Sequence, residues 1–124
     1  MTDSVTLPEF EGFDTNGLLE RLRGKTDRVN QILESFRTNY ASAASDLDKL
    51  VEENETEEAH RLLHSLKGVT GNLFMHSFYD FIVQFEGEFK AGDMDNYAPR
   101  LQEFSQMIDS TLSQIEQVQT VLNQ

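Results

Sequence analysis

Ala59-His60-Arg61-Leu62-Leu63-His64-Ser65-Leu66-Lys67-Gly68-Val69-Thr70-Gly71-Asn72-Leu73 is the stretch on which the fold turns. Ala59, Leu62, Leu63, Leu66, Thr70 and Leu73 recur at three- and four-residue spacing, the period of an amphipathic helix. On a wheel turning about 100° per residue they form one face, which has to be buried. His60, His64, Lys67, Gly68 and Gly71 gather on another face, roughly 150° away. The pattern predicts a helix that hides its leucines and presents a histidine and a lysine, one turn apart, to solvent.

The same period runs outward in both directions. A short helix is predicted from about Thr15 to Arg23, with Asp14 as N-cap and Gly24 as its stop. A long helix follows from near Asp27, with Val29, Ile32, Leu33, Phe36, Tyr40, Ala43, Leu47, Leu50 and Val51 inward, and Tyr40, Ser42 and Ser45 mark a place for a bend. The His64 helix is expected to begin after Asn54, with Glu57 completing a capping box. The acidic run Glu52, Glu53, Glu55, Glu57 and Glu58 then reads as a turn and a first helical turn, where negative charge suits the helix dipole. The next helix opens at Ser77, with Asp80 as capping-box partner and a stripe of Phe78, Phe81, Ile82, Phe85 and Phe89, and ends at Gly92. The last begins near Asn96, tolerates Pro99 in its first turn, and turns Leu101, Phe104, Ile108, Leu112, Ile115, Val118 and Leu122 inward. No segment alternates like a strand. The expectation is an all-α, antiparallel four-helix bundle with a short additional N-terminal helix, covering residues 9–124 behind a flexible tail at residues 1–8.

Composition narrows the possible partners. At 124 residues the chain supports one core. Ten basic and 22 acidic residues give a net charge of −12, which a nucleic-acid backbone repels. Absence of cysteine removes disulfides and thiolate metal sites. No signal peptide opens the chain and no apolar run has the length of a membrane span. A cytoplasmic monomer without membrane insertion or nucleic-acid binding is expected.

Glycine inside a helix costs about 1 kcal/mol relative to alanine. Gly68 and Gly71 stand on an exposed face where alanine would serve, so stability does not account for them. Their effect is to leave backbone bare beside His64, where something large can approach. Imidazole is a nucleophile near neutral pH, and the ammonium of Lys67 can meet negative charge on a phosphoryl group. This face reads as a docking surface around a phosphorylatable histidine, with His60, Gly68, Gly71 and Met75 as docking residues.

The run from His64 to Leu73, with its His-x-x-Lys-Gly-x-x-Gly pattern, resembles the signature of histidine-containing phosphotransfer (HPt) domains of multistep phosphorelays. Leu7-Pro8 through Gly24, including Leu18-Leu19-x-Arg21-Leu22-x-Gly24, is similar to the leading segment of HPt modules at the C-termini of hybrid sensor kinases, and the turn Ala91-Gly92-Asp93 fits too. The resemblance implies that His64 is phosphorylated through Nε2, that Lys67 helps hold the phosphoryl group and that Gly68 admits the partner. Glu86 matches a position where some members place Gln or Glu to orient the imidazole; pairing with Lys90 at i+4 is the competing reading. Phe74 departs from the family, which usually has glycine there. The implied partners are receiver domains of response regulators or hybrid sensor kinases. The receiver supplies Mg²⁺, and this chain needs no cofactor of its own. With no Gly-rich nucleotide loop, it is expected to be a carrier without autonomous kinase activity.

Two other readings compete. Glu57, His60 and His64 lie one turn apart and could give a metal-binding helical bundle, although no second Glu-x-x-His supplies the remaining ligands. A non-catalytic adaptor bundle would leave the exposed glycine pair without a purpose.

Overall fold

In the computed structural model, which describes residues 5–124, six helices pack into a bundle and no strand forms among the described residues. They are α1 (Thr15–Arg21), α2 (Thr26–Tyr40), α3 (Ala43–Glu52), α4 (Thr56–Asn72), α5 (His76–Lys90) and α6 (Tyr97–Leu122). The closest pairing is between α4 and α5; α2 and α3 pack on α6, and α3 also packs on α4. The core is rich in aromatic rings. Phe36 meets Phe78 edge-on at 6.3 Å, and Phe104 takes Phe78 and Phe85 at 6.1 and 5.8 Å. Ala59, Leu63, Leu66 and Thr70 are fully enclosed, as the α4 wheel requires.

Between α2 and α3 the predicted long helix breaks outright. Ser42 Oγ donates to Asp46 Oδ2 at 2.8 Å and Ser45 Oγ to the Ser42 carbonyl at 3.0 Å, so the serines satisfy each other's surroundings locally instead of extending the helix. Asp14 caps α1 as expected, its Oδ1 accepting the Gly17 N–H at 2.9 Å, and Gly24 leaves the helix with a φ of +72°.

Two capping boxes foreseen in the sequence do not form. Asn54 has a φ of +58°, a conformation asparagine tolerates, and closes α3 with its N–H on the Val51 carbonyl, so Glu55 becomes the N-cap of α4 without a side-chain bond. At α5 the N-cap is Met75, also without a side-chain bond, and the Ser77 N–H donates instead to the Gly12 carbonyl at 3.0 Å. That donor is satisfied by the N-terminal segment, which removes the need for a box with Asp80.

This segment also corrects the expected tail. Leu7 is buried; its N–H donates to Asn16 Oδ1 at 2.9 Å, and Thr15 Oγ1 donates to the Pro8 carbonyl at 2.6 Å. Residues 7 and 8 are therefore part of the packed domain, while residues 1–4 of the expected tail lie outside the described residues. The segment reaches the turn that follows α4, where the Asp14 N–H donates to the Phe74 carbonyl at 2.9 Å. Phe74 holds a φ of +61°, strained for a bulky side chain and free of strain for glycine, which accounts for glycine being usual there in the resembling family. Arg21 steadies it from α1: its guanidinium stands 5.8 Å from the Phe74 ring centre and donates to the Asn72 carbonyl at 3.1 Å, a cation on the C-terminus of α4.

Candidate functional site

The flank of α4 that faces α5 carries His60, His64, Lys67 and Gly71, and α5 answers with Glu86 and Tyr79. Glu86 is the unusual member. On a helix whose inward stripe is phenylalanine, it is a carboxylate only 7% exposed. A buried charge needs partners, and α4 provides them. His64 Nδ1 lies 3.0 Å from Oε2, and Lys67 Nζ donates to Oε1 at 2.7 Å. A carboxylate only accepts, so the proton of that contact belongs to Nδ1 of His64. Neutral His64 is thereby held as the Nδ1–H tautomer, and its Nε2 keeps a free lone pair. The side chain as a whole is 66% exposed.

These distances bear on the two contacts expected of Glu86. Its oxygens are engaged by His64 and Lys67, not by Lys90. Burial by itself pushes Glu86 up, but the hydrogen bonds from Lys67 and His64, with their charge, overcome it and hold its carboxyl below the usual carboxylate range. The hydrogen bond from Lys67 to Glu86 in turn raises the lysine above its ordinary value.

The glycines divide. A Cβ built on Gly68 meets nothing within 4 Å, so its smallness serves no contact inside the domain. A Cβ on Gly71 would lie 3.2 Å from Cδ1 and Cε1 of the Tyr79 ring. Gly71, expected as a docking residue, thus seats an aromatic side chain of α5. Met75, also expected there, is a correction: it is 1% exposed, because the turn after Phe74 brings it inward to start α5. His60 is half-buried instead of facing solvent. A depression lined by Glu57, His60, Arg61 and His64 opens at the exposed edge. Among the described residues no group of three or more His, Cys, Asp or Glu side chains is placed to hold a metal ion, which leaves the Glu57/His60/His64 reading without a ligand set.

Tyr79 was not singled out in the sequence. Its signal is the spacing to Glu86, seven residues or two turns along the same flank of α5. A larger groove around Phe81, Arg100 and Met107 lies between α5 and α6 and contains none of the expected site residues; there Arg100 is clamped on Glu88 by bonds of 3.0 and 2.9 Å.

The site is thus an exposed imidazole, bonded to a carboxylate and beside an ammonium, on a helical bundle. Residues 31–118 match the family model of the Hpt domain, and the chain belongs to that family, whose members work by histidine phosphotransfer in phosphorelays. Comparison with curated proteins and with solved structures gave no match. No described helix is long and apolar enough to cross a membrane.

The depressed Glu86 carboxyl fixes the sign of a pH effect. A carboxyl lower in the folded than in the unfolded chain contributes stability above the unfolded value and loses it as pH falls through the folded one. Between about pH 5 and about pH 3, the wild type should therefore lose more stability than Glu86→Gln, as read from urea unfolding at each pH. Equal losses in the two proteins would show that Glu86 is not paired in the folded state.

Proposed function

We propose that His64 is the phosphoacceptor of an Hpt module, taking a phosphoryl group from a receiver-domain aspartate and passing it to another receiver. The observation that carries this reading is the Glu86–His64 bond, which leaves Nε2 of the neutral ring unprotonated on a side chain that is mostly exposed. In the forward step Nε2 attacks phosphorus, the P–N bond forms, and the P–O bond of the acyl phosphate breaks. The receiver's aspartate leaves as a carboxylate, and Nδ1 keeps its proton on Glu86. Onward transfer is the reverse of this with a second receiver. Such chemistry depends on position and on charge neutralisation more than on covalent help from the protein.

Lys67 is the cation for the transferred group. It is held 2.7 Å from Glu86 in the unphosphorylated chain and is only half-buried, so its ammonium can be shared with phosphoryl oxygens on the adjacent Nε2. Mg²⁺ belongs to the receiver's acidic pocket in this scheme, and the chain is a carrier without kinase activity, working in the cytoplasm as a monomer. The bundle is read as the antiparallel four-helix form, with α2 and α3 together as one broken rod and α1 as the additional N-terminal helix.

The experiment is transfer from a ³²P-labelled receiver. Wild type, His60→Gln and His76→Gln should accept label and His64→Gln should not, with unchanged helicity by circular dichroism. Label on His64→Gln would reassign the acceptor.

Gly68→Gln gives effects of opposite sign. Open space at Gly68 and the better helix propensity of Gln predict a gain of up to about 1 kcal/mol in thermal or urea unfolding. The side chain would project one turn beyond His64, where a docking receiver has to bring its aspartate, and displacement of about 1 Å costs on the order of 100-fold in rate. A stabilised protein that transfers poorly from receivers is expected. Undiminished transfer would remove Gly68 from the docking face.

A further inference from the structure

One polar atom beside the site lacks a partner. Nε2 of His60 is buried and makes no hydrogen bond. It faces Glu86 Oε2 at 3.7 Å, the same oxygen that accepts from His64 Nδ1 at 3.0 Å. The two rings sit one helical turn apart with centres separated by 6.2 Å. Lys67 occupies the other oxygen of the carboxylate.

A ring nitrogen that faces a carboxylate oxygen carries a proton, because two opposed lone pairs repel. Neutral His60 is then the Nε2–H tautomer, too distant at 3.7 Å for a hydrogen bond. A second proton on the ring turns it into a cation. The charge-assisted bond it can then form with Glu86 is roughly twice as strong as one between neutral groups. We infer that His60 is a positioning residue that competes with His64 for Glu86 Oε2, so that the charge on His60 governs which tautomer His64 holds. The inference rests on the reading of His64 as phosphoacceptor.

With His60 neutral, Glu86 keeps the His64 Nδ1–H, and Nε2 is free to attack. With His60 charged, Oε2 is drawn to it and Nδ1 of His64 is released. The His64 proton can then sit on Nε2, where it blocks attack. Imidazole is the side chain that changes charge between about pH 5 and pH 8, and a charge gained by His60 turns the acceptor down through the carboxylate they share. The groups around His60 permit this. Glu86 faces it from α5, with Lys90 one turn further along that helix. From α4, Glu57, Arg61 and His64 line the same depression as His60, and Arg61 is paired with Glu58.

The test is ¹⁵N NMR of the histidine ring nitrogens in the full chain, at about pH 8 and about pH 6. In the wild type the neutral fraction of His64 should be Nδ1–H at the higher pH and lose that preference at the lower. His60→Gln, neutral at both, should keep it throughout; His60→Lys, charged at both, should lack it throughout. Identical His64 tautomers in all three proteins would overturn the proposal, as would loss of the Nδ1–H form in His60→Gln at the higher pH. No phosphoryl group is involved, so the result is independent of the transfer assay: His64 can prove to be the acceptor with no coupling to His60, and the coupling can exist without transfer.

Discussion

A single carboxylate inside the α4–α5 contact organises this molecule. Glu86 is 7% exposed on a helix otherwise packed by phenylalanines, and it is tolerable there because one oxygen takes the His64 Nδ1–H and the other the Lys67 ammonium. Removing either partner would leave a buried charge short of a bond, so burial and pairing enforce one another. The consequence for chemistry is directional. The nitrogen bound to Glu86 keeps its proton, so in the neutral ring the other nitrogen is the basic one.

The rest of the fold keeps α4 and α5 in the register that this contact needs. The turn between them is tight and strained, with Phe74 at a φ of +61°, and three groups from the N-terminal part hold it: the Asp14 N–H donating to the Phe74 carbonyl, the Gly12 carbonyl accepting the Ser77 N–H, and Arg21 over the Phe74 ring. Gly71 lets the Tyr79 ring lie against α4 at the turn end of the pair. On the far side, Arg100 ties α5 to α6 through Glu88, and the Tyr97 hydroxyl, whose proton is held by burial and by Asp48, ties α6 to α3. A bundle braced at both ends leaves the middle of α4 free to present His64 and the bare backbone of Gly68.

Helix identity was legible because the leucine and phenylalanine stripes have a clean period. The exposed His64 and the open space at Gly68 were legible for the same reason. The failures cluster at the turns, where a residue answers to groups outside its own helix. Asn54 looked like an N-cap but is spent on closing the preceding turn, and Ser77 has no need of Asp80 because Gly12 reaches it from the N-terminal segment. Met75 was expected beside the docking face; Phe74 ends the helix, and Met75 turns inward. A wheel also has no flank: it separates core from solvent, and it could not show that His60 and Lys67 lean against α5. For Glu86 it was the family resemblance that raised the question, and the packing of the two helices supplies the contact with His64.

The claim that Glu86 selects the reactive nitrogen is tested most directly by finding where the phosphorus goes. The ¹⁵N-labelled chain, phosphorylated by its receiver, should show ³¹P–¹⁵N coupling to Nε2 of His64, with Nδ1 still protonated. Phosphorus on Nδ1 of His64, or on another side chain, would contradict the account.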